Sequence, residues 1–385
     1  MESKRLIYLD NAATTFPKPK GMLDKMVAEY AGIGVSPGRG SYDLAAAAED
    51  AITKARRTLA RFFNAPDHRR VIFTANATDS LNLAILGFLK PGDHAITTCL
   101  EHNSVLRPLY HLQQTGQITV STVPFDGQGY IDPADIERAI GPKTRLVVVN
   151  HASNVLGTVQ PVSAVGDICA AQGVALLVDA SQSAGQVTVD MEAMGASAVA
   201  FTGHKSLYGP TGTGGLVLRP DMAVMPVRFG GTGVESKSMV HTMDFPHRLE
   251  AGTHNLMGIL GLRLAVEDLQ AERVATIHAR EMKLTRQLVD GFKALDGITV
   301  YGADSLDRHL AVVTVNVDSV DPMDVGAILD ADFDIAVRVG LHCAPLVHAG
   351  LGTGDRGAVR FSLGRFNTEA DIDRAIDAMA RIAML

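Results

Sequence analysis

The sequence predicts an α/β protein in which a large, mainly parallel, seven-stranded sheet is joined to a smaller α+β domain. Three observations predict this architecture. Short β-rich runs alternate with helical patterns from about residue 70 to 218, and some runs, such as Leu146–Val149, are continuously apolar. The alternation stops after Asn255. Continuously apolar strands belong to sheets covered on both faces, and strand–helix alternation implies parallel neighbours joined by right-handed crossovers.

The predicted strands of the large sheet occupy residues 71–74, 94–99, 118–124, 145–150, 174–179, 198–202 and 215–218. Helical patterns fall between them at residues 80–89, 133–140 and 162–172. In such sheets ligands gather at the carboxyl ends of the strands, so polar residues that follow a strand are candidates for the site.

The remainder of the chain has a different pattern. A long helical stretch over residues 257–295 is followed by short strand patterns at 298–301, 310–317, 335–338 and 359–363, with helices at 322–329 and from Thr368. We predict a large domain at 51–255 and a small C-terminal domain at 256–385. Residues 1–50 fit neither pattern, and we expect them to pack on the small domain or on a partner subunit.

Composition excludes several classes of protein. The net charge is −7, and the basic pairs Arg56-Arg57 and Arg69-Arg70 are isolated, which argues against nucleic-acid or membrane-surface binding. The sequence lacks an apolar run of the roughly 18 residues that a membrane span needs, and its N-terminus lacks the apolar core of a signal peptide. The 3 cysteines lack the spacing of a disulfide framework or a zinc site. We expect a cytoplasmic protein without a metal.

Two strand ends offer partners for an anionic, aromatic cofactor. Phe73–Ser80 ends a strand and opens a helix, and helix N–H groups beside the Thr78 hydroxyl suit a phosphate. Asp179 ends the most apolar strand, where a carboxylate could pair with a protonated pyridine nitrogen and make the ring a better electron sink. Taken alone, each residue is more often a plain helix or turn cap.

Two further strand ends complete the set. Lys205 follows a strand about 25 residues after Asp179 and could form a Schiff base, with Thr202 and His204 available for a phosphate. His102 follows another strand, and its flat imidazole could stack on a ring. A lone lysine is usually a solvated surface residue, but four strand ends together predict a pyridoxal-phosphate enzyme with its cofactor on Lys205. The glycine-rich segment 209–215 lacks P-loop spacing and is interpreted as a tight turn beside the site.

These residues resemble the class V aminotransferase superfamily, and within it the cysteine desulfurases and selenocysteine lyases. The resemblance implies the type I fold of pyridoxal-phosphate-dependent transferases. The matching segments cover nearly the whole chain and are Tyr8–Thr15, Asn150–Thr158, Thr202–Lys205, Glu250–Thr253, Val337–Cys343, Arg360–Ser362 and Asn367–Glu369.

The resemblance implies a role for each matching residue around the cofactor ring. Lys205 would carry the cofactor, His102 would stack on its ring, and Asp179 would pair with the pyridine nitrogen. Gln182 would contact the phenolic oxygen, and Asn154 would lie beside the ring and the substrate.

The same resemblance implies a phosphate site and a substrate site. Thr78, Thr202 and His204 would bind the phosphate, and Thr253 would reach it from the other protomer of a homodimer. Arg360, with Arg338, would hold the substrate carboxylate in the bidentate geometry of a guanidinium. Two residues depart from the family pattern. Ala77 replaces a second threonine at the phosphate site, where its backbone N–H could still contribute, and His254 replaces a usual proline.

Cys343 indicates which reaction of this superfamily the chain would catalyse. The resemblance implies that its thiolate attacks the sulfur of cofactor-bound L-cysteine, which yields L-alanine and a Cys343 persulfide. Arg338 and His342 are close in sequence and could favour the thiolate. Lys205 would remove the α-proton and His102 would shuttle protons.

The motif Arg338-x-Gly-x-x-Cys343 resembles that of the group II desulfurases, whose short loop limits how far a persulfide travels. We therefore expect a sulfur-acceptor protein to dock near residues 342–356. Three alternatives stay open: a selenocysteine lyase acting on L-selenocysteine, a class V aminotransferase in which Cys343 is dispensable, and a non-enzymatic sulfur carrier.

Overall fold

The structure is a computed structural model that describes residues 6–38 and 40–385. The prediction for residues 1–50 therefore includes residues 1–5 and Arg39, which lie outside the described residues. The strands are β1 Ile7–Tyr8, β2 Val71–Thr74, β3 His94–Thr98, β4 Thr119–Val123, β5 Thr144–Asn150, β6 Ala175–Asp179, β7 Ala198–Thr202, β8 Gly214–Leu218, β9 Ile298–Tyr301, β10 Val312–Val317, β11 Ile335–Ala336, β12 Arg338–Gly340 and β13 Ala358–Ser362. The helices are α1 Met22–Ile33, α2 Asp43–Phe62, α3 Ala77–Phe88, α4 Asn103–Gln114, α5 Pro133–Ala139, α6 Val162–Gln172, α7 Leu256–Glu272, α8 Val274–Lys293, α9 Pro322–Phe333, α10 Pro345–Gly350 and α11 Glu369–Ile382.

The large sheet has seven strands in the order β2-β8-β7-β6-β5-β3-β4. Neighbours from β7 to β4 are parallel, whereas β8 runs antiparallel to both β7 and β2. Strands β7 and β8 are buried along their whole length, which matches their continuous apolar sequence. The predicted fold class, a mainly parallel seven-stranded sheet with a smaller α+β domain, is confirmed.

The small domain is built on a four-stranded antiparallel sheet in the order β12-β13-β10-β9. Strand β1 pairs in parallel with β11, with Ile7 opposite Ile335, so the beginning of the described chain adds to this domain. Ile7 and Leu9 lie in its hydrophobic core.

The helical stretch predicted over residues 257–295 is two helices rather than one. Arg273 separates α7 from α8 with a φ of 74°. The buried face of α7, including Leu260 and Leu269, belongs to the core of the large domain. The predicted boundary after residue 255 therefore precedes a large-domain helix, and the one after residue 50 falls inside α2.

Contacts at the carboxyl edge of the large sheet fix the small domain above it. Arg360 Nη1 donates to the Asn154 carbonyl oxygen at 3.0 Å, and Asn154 Nδ2 donates to the His342 carbonyl oxygen at 2.8 Å. Thr314 Oγ1 donates to the Val155 carbonyl oxygen. The cleft between the domains therefore opens where ligands are expected in such a sheet. Among the residues described, each helix is too short or too polar to cross a bilayer.

Candidate active site

A cavity of about 290 Å³ lies in this cleft. Twelve of the thirteen predicted site residues line it, and Thr253 lies elsewhere. The cavity is lined by Ala12, Ala13, Asn76, Ala77, Thr78, His102, Ser104, Asn150, Ala152, Asn154, Asp179, Ser181, Gln182, Thr202, His204, Lys205, Arg338, His342, Cys343 and Arg360.

The turn that carries Lys205 follows β7 and is held by the segment before α1. Thr15 Oγ1 lies 3.1 Å from the His204 carbonyl oxygen and 3.0 Å from that of Lys205. Lys18 Nζ donates to the same His204 carbonyl oxygen at 2.9 Å. These contacts satisfy carbonyl groups where the strand has ended, and sequence reasoning gave Thr15 and Lys18 no such role.

The Lys205 amine is biased toward its neutral form. Burial lowers its pKa to about 8, the positive charges of Arg360 and Arg338 act in the same direction, and Asp179 opposes them. A lysine with a pKa near neutrality is suited to act as a base or a nucleophile at ordinary pH. The amine is therefore still mostly protonated at neutral pH, and its neutral fraction grows as the pH rises toward 8.

His102 caps the N-terminus of α4 and has one defined tautomer. Its Nδ1 accepts from the Ser104 backbone N–H at 3.0 Å, so the ring hydrogen is on Nε2. Burial, with the charge of Lys205, lowers the pKa of His102 to about 4, which makes it neutral. Asp179, at the end of β6, accepts from the Ser181 backbone N–H at 2.9 Å.

The predicted phosphate site lies where α3 begins. Asn76 caps the helix by accepting from the Asp79 backbone N–H at 3.0 Å, and Ala77 and Thr78 form its first turn. Gly214 makes this possible, because a Cβ there would lie 2.7 Å from the Asn76 backbone. The interpretation of segment 209–215 as a close-passing turn agrees with this contact.

Several buried polar atoms on the cavity wall lack a protein partner. Thr202 Oγ1, His204 Nδ1 and Asn154 Oδ1 have no hydrogen-bond partner among the described residues. A buried polar atom without a hydrogen-bond partner lowers the stability of the fold unless a ligand or a water molecule supplies the partner. The donor and acceptor groups therefore fit a polar, phosphate-bearing cofactor.

Arg360 is buried on the small-domain side of the cavity. Its Nη2 donates to Asp10 Oδ1 at 2.9 Å and its Nη1 to the Asn154 carbonyl oxygen, while its Nε has no hydrogen-bond partner among the described residues. Asp10 offsets the buried charge and fixes the plane of the guanidinium. Sequence reasoning gave Asp10 no role, although it lies in the matched segment Tyr8–Thr15. Arg338 is more exposed and lies at the rim.

Cys343 lies in a turn between β12 and α10. His342 and Cys343 have φ angles of 50° and 57°, two consecutive non-glycine residues in the left-handed region. This conformation costs about 1–2 kcal/mol per residue and persists only where contacts hold it. The Asn103 backbone N–H donates to the Cys343 carbonyl oxygen at 2.7 Å, one such contact.

His342 does not supply the positive charge expected from its place in the sequence. Burial, with the charge of Arg360, lowers its pKa to about 2, so the ring is neutral. That expectation was wrong because sequence proximity does not reveal burial. Arg338 remains the cation of the pair.

Thr253 lies in a separate cleft with Thr74, Arg228 and Gly252. The neighbouring His254 has a structural explanation. Its Nε2 is 2.7 Å from Glu250 Oε2, and Glu250 Oε1 also accepts from Arg56 Nη1 at 2.7 Å. Burial opposes ionisation of Glu250, but Arg56 and His254 outweigh it and lower its pKa to about 2.

Sequence reasoning gave no role to Glu101, a buried carboxyl beneath the site. It accepts from Thr98 Oγ1 at 2.8 Å and from the Asn150 backbone N–H at 2.9 Å. Burial raises its pKa to about 8, and Asp179 adds to the shift, so Glu101 is mostly protonated at neutral pH. Its position next to His102 in a strand-end motif was the available signal.

The cleft between the two domains carries an amine, a carboxylate, an imidazole and a thiol. This α/β fold and these groups are those of an enzyme that uses an organic cofactor. The chain belongs to the class V aminotransferase family, whose model matches residues 7–375. The family predicted from sequence is confirmed.

Relatives and solved structures agree with this assignment. The chain is 36% identical over 385 residues to a probable cysteine desulfurase of Methanothermobacter thermautotrophicus, covering 98% of this chain and 94% of the relative. A cysteine desulfurase structure from Thermococcus onnurineus NA1 has a TM-score of 0.93 and 34% identity, covering 98% of this chain and 95% of that one. The cysteine desulfurase CsdA of Escherichia coli has a TM-score of 0.88 and 28% identity, covering 98% and 94%.

Proposed function

We propose that this protein is a cysteine desulfurase that removes sulfur from L-cysteine and releases L-alanine. One observation carries the proposal: Cys343 lies on the same cavity as Lys205 and Asp179. An enzyme that only exchanged amino groups would have no use for a thiol there. The printed names of relatives that match nearly the whole chain support the same function.

Pyridoxal 5'-phosphate is the cofactor that these residues fit. When bound, it supplies an electron sink for the α-carbon of an amino acid. Lys205 would hold its aldehyde carbon, Asp179 its pyridine nitrogen and Gln182 its phenolic oxygen. Thr202 and His204, with the first turn of α3, would hold the phosphate.

The chain's own groups then divide the remaining work. The neutral Lys205 amine takes the α-proton, and His102 Nε2–H is placed to return a proton. Arg360 holds the substrate carboxylate, with Arg338 at the rim. The Cys343 thiolate takes the sulfur atom of the substrate as a persulfide, and the carbon skeleton leaves as L-alanine.

A pair of variants, each assayed for alanine and sulfide from L-cysteine, tests the proposal. Lys205→Ala should lose the visible absorbance of bound cofactor and all turnover. Cys343→Ala should keep that absorbance yet release no sulfide. Cys99→Ala is the matched control and should behave as wild type, because Cys99 is a partly buried thiol away from the cavity. Normal sulfide release by Cys343→Ala would exclude the proposed reaction. Turnover of L-selenocysteine that is faster than that of L-cysteine, and that needs Lys205 but not Cys343, would indicate a selenocysteine lyase.

Cys343 also lines a second, outer cavity of about 340 Å³. Arg107, Pro108 and His111 of α4 form its other side. We propose that the persulfide is passed to a sulfur-acceptor protein through this outer cavity, near residues 342–356. Arg107→Glu should slow sulfur delivery to an acceptor protein several-fold while alanine formation in the presence of a small reductant stays unchanged. Equal slowing of both would contradict an outward route.

We also propose that the protein works as a homodimer in which Thr253 completes the partner's phosphate site. Thr253 lies outside its own cofactor cavity, and Phe229, Met239 and Val240, in the loop that precedes it, are exposed apolar residues. Mixing Thr253→Val and Lys205→Ala protomers tests it. If Thr253 acts across the interface, half of the mixed sites are intact and cofactor affinity recovers; if it acts within its own chain, none recover.

A further inference from the structure

The turn that carries Cys343 is tied to α10 and β13 by a buried chain of side chains. His342 Nδ1 is 3.3 Å from His348 Nε2, and His348 Nδ1 is 2.8 Å from Thr353 Oγ1. At its other end, His342 Nε2 is 3.3 Å from the Arg338 carbonyl oxygen. All three side chains are buried, and the two imidazoles are stacked with ring centroids 5.4 Å apart.

The partners fix the direction of every hydrogen bond in this chain. The Arg338 carbonyl can only accept, so His342 carries its hydrogen on Nε2 and its Nδ1 is an acceptor. His348 must then donate from Nε2, which leaves its Nδ1 to accept from the Thr353 hydroxyl at 2.8 Å; the other acceptor of that hydroxyl, the His348 carbonyl oxygen, is farther away at 3.4 Å. Burial lowers the pKa of His342 to about 2 and that of His348 to about 4, consistent with two neutral rings.

Both ends of the chain are anchored. The Thr353 carbonyl oxygen accepts from the Gly357 backbone N–H at 2.7 Å, immediately before β13 and Arg360. The other end reaches Arg338, which is on the cavity. The chain therefore connects the backbone of β12 at Arg338 to the segment just before β13, around the back of the Cys343 turn.

We propose that His348 and Thr353 are positioning residues for the Cys343 thiol. Neither lines the cavity of about 290 Å³, and they act through His342, whose left-handed backbone they hold. The inference rests on the proposed function in that Cys343 is taken as the sulfur-accepting thiol.

Removing the Thr353 hydroxyl should weaken the chain at His348. Nδ1 of His348 would be left as a buried acceptor without its donor. An imidazole that lacks this anchor is free to rotate, which weakens the hydrogen bond from its Nε2 to His342 Nδ1. The Cys343 turn would lose a restraint although its own residues are unchanged.

Isosteric pairs test the proposal. Thr353→Val removes the hydroxyl and keeps the shape, whereas Thr353→Ser keeps the hydroxyl. His348→Leu removes the N–H group that donates to His342, whereas His348→Gln supplies an amide N–H in its place. We expect kcat for alanine release to fall about 10- to 100-fold in the Val and Leu variants, with KM within about twofold, because the misplaced thiol affects the step after binding. The Ser and Gln variants should stay within about threefold of wild type.

A second measurement needs neither cofactor nor turnover. Hydrogen exchange at residues 340–345 of the cofactor-free protein should be faster in Thr353→Val than in wild type or Thr353→Ser. Thr285→Val, another buried threonine whose Oγ1 donates to a backbone carbonyl, is the control and should leave that exchange and kcat unchanged.

The outcomes separate the two proposals. Wild-type kcat and wild-type exchange in Thr353→Val would overturn the positioning role. A fall in kcat matched by Thr285→Val would also overturn it, as a general packing effect. If the wild-type enzyme releases no sulfur from cysteine, the proposed function fails, while the exchange data still decide whether the chain holds the turn.

Discussion

The large-domain wall of the cavity and the small-domain wall hold their functional groups in different ways. On the first wall, Asp179 ends one buried strand of the mainly parallel sheet, Lys205 follows another, and His102 caps a helix. On the second, Cys343 lies in a strained turn, and Arg360 is a buried cation that depends on Asp10.

The two walls should therefore respond differently to substitution. Groups on strand ends rest on regular backbone hydrogen bonds, so replacing them should change chemistry without moving the backbone. Groups on the other wall are placed by side-chain contacts, so replacing a neighbour should move them. Matched substitutions on the two walls distinguish the two responses.

Among changes that keep the shape of the side chain, the largest effect is expected from Asp179→Asn on the large-domain wall. The amide keeps the shape and can still accept from Ser181, but it lacks the negative charge placed for the cofactor ring. Loss of one preorganised charged group should lower kcat by about 10²–10³-fold. Steady-state kinetics, with cofactor absorbance and unfolding temperature unchanged, would check it.

Asp167→Asn on the exposed face of α6 is the control and should be silent. If Asp179→Asn lowered the unfolding temperature as well as kcat, the replacement would have disturbed the backbone. That result would contradict the idea that groups on this wall can be replaced without moving it.

The second prediction concerns pH and the same wall. Because the pKa of Lys205 is lowered to about 8, the amine is mostly protonated below that pH and mostly neutral above it. Only the neutral amine can attack the cofactor aldehyde. Uptake of cofactor by the cofactor-free protein, followed by visible absorbance, should rise about tenfold per pH unit up to about 8 and then level off. A rate still rising steeply at pH 9.5 would show an ordinary lysine.

The same contrast explains what could be predicted from the sequence. The large-domain wall follows from strand periodicity, because residues just after parallel strands must meet at one edge. The sites of Asp179, His102 and Lys205 were therefore derivable from the residues. The small-domain wall came only through resemblance, since Arg360 and Cys343 are brought in by packing between domains that periodicity does not encode.

What the sequence could not reveal depends on burial and on long-range contacts. The neutrality of His342 follows from its enclosure, and the Asp10–Arg360 ion pair joins residues 350 positions apart. His254 looked anomalous until its contact with Glu250 was seen.

A third prediction compares the two arginines. Lysine keeps the charge but lacks the fork that binds a carboxylate through two nitrogens. Arg338→Lys, at the rim, should raise KM for cysteine by about tenfold or less, with no change in unfolding temperature. Arg360→Lys should raise KM and also lower the unfolding temperature, because it breaks the buried contacts to Asp10 and Asn154. Equal effects of the two changes on stability would contradict the distinction between a rim residue and a buried one.

The smallest effect is expected where this chain departs from its family. Ala77 is buried in the first turn of α3 and faces the cavity, so a hydroxyl placed there would meet the cofactor phosphate. Ala77→Thr should tighten cofactor binding by about fivefold, the value of one added hydrogen bond of about 1 kcal/mol, with kcat unchanged. Ala77→Val has nearly the same shape without the hydroxyl, so it should not tighten binding. Titration of the cofactor-free variants would measure both dissociation constants. Equal affinities in the Thr and Val variants would mean that the backbone N–H groups of the helix already satisfy the phosphate, and that the missing threonine costs this protein nothing.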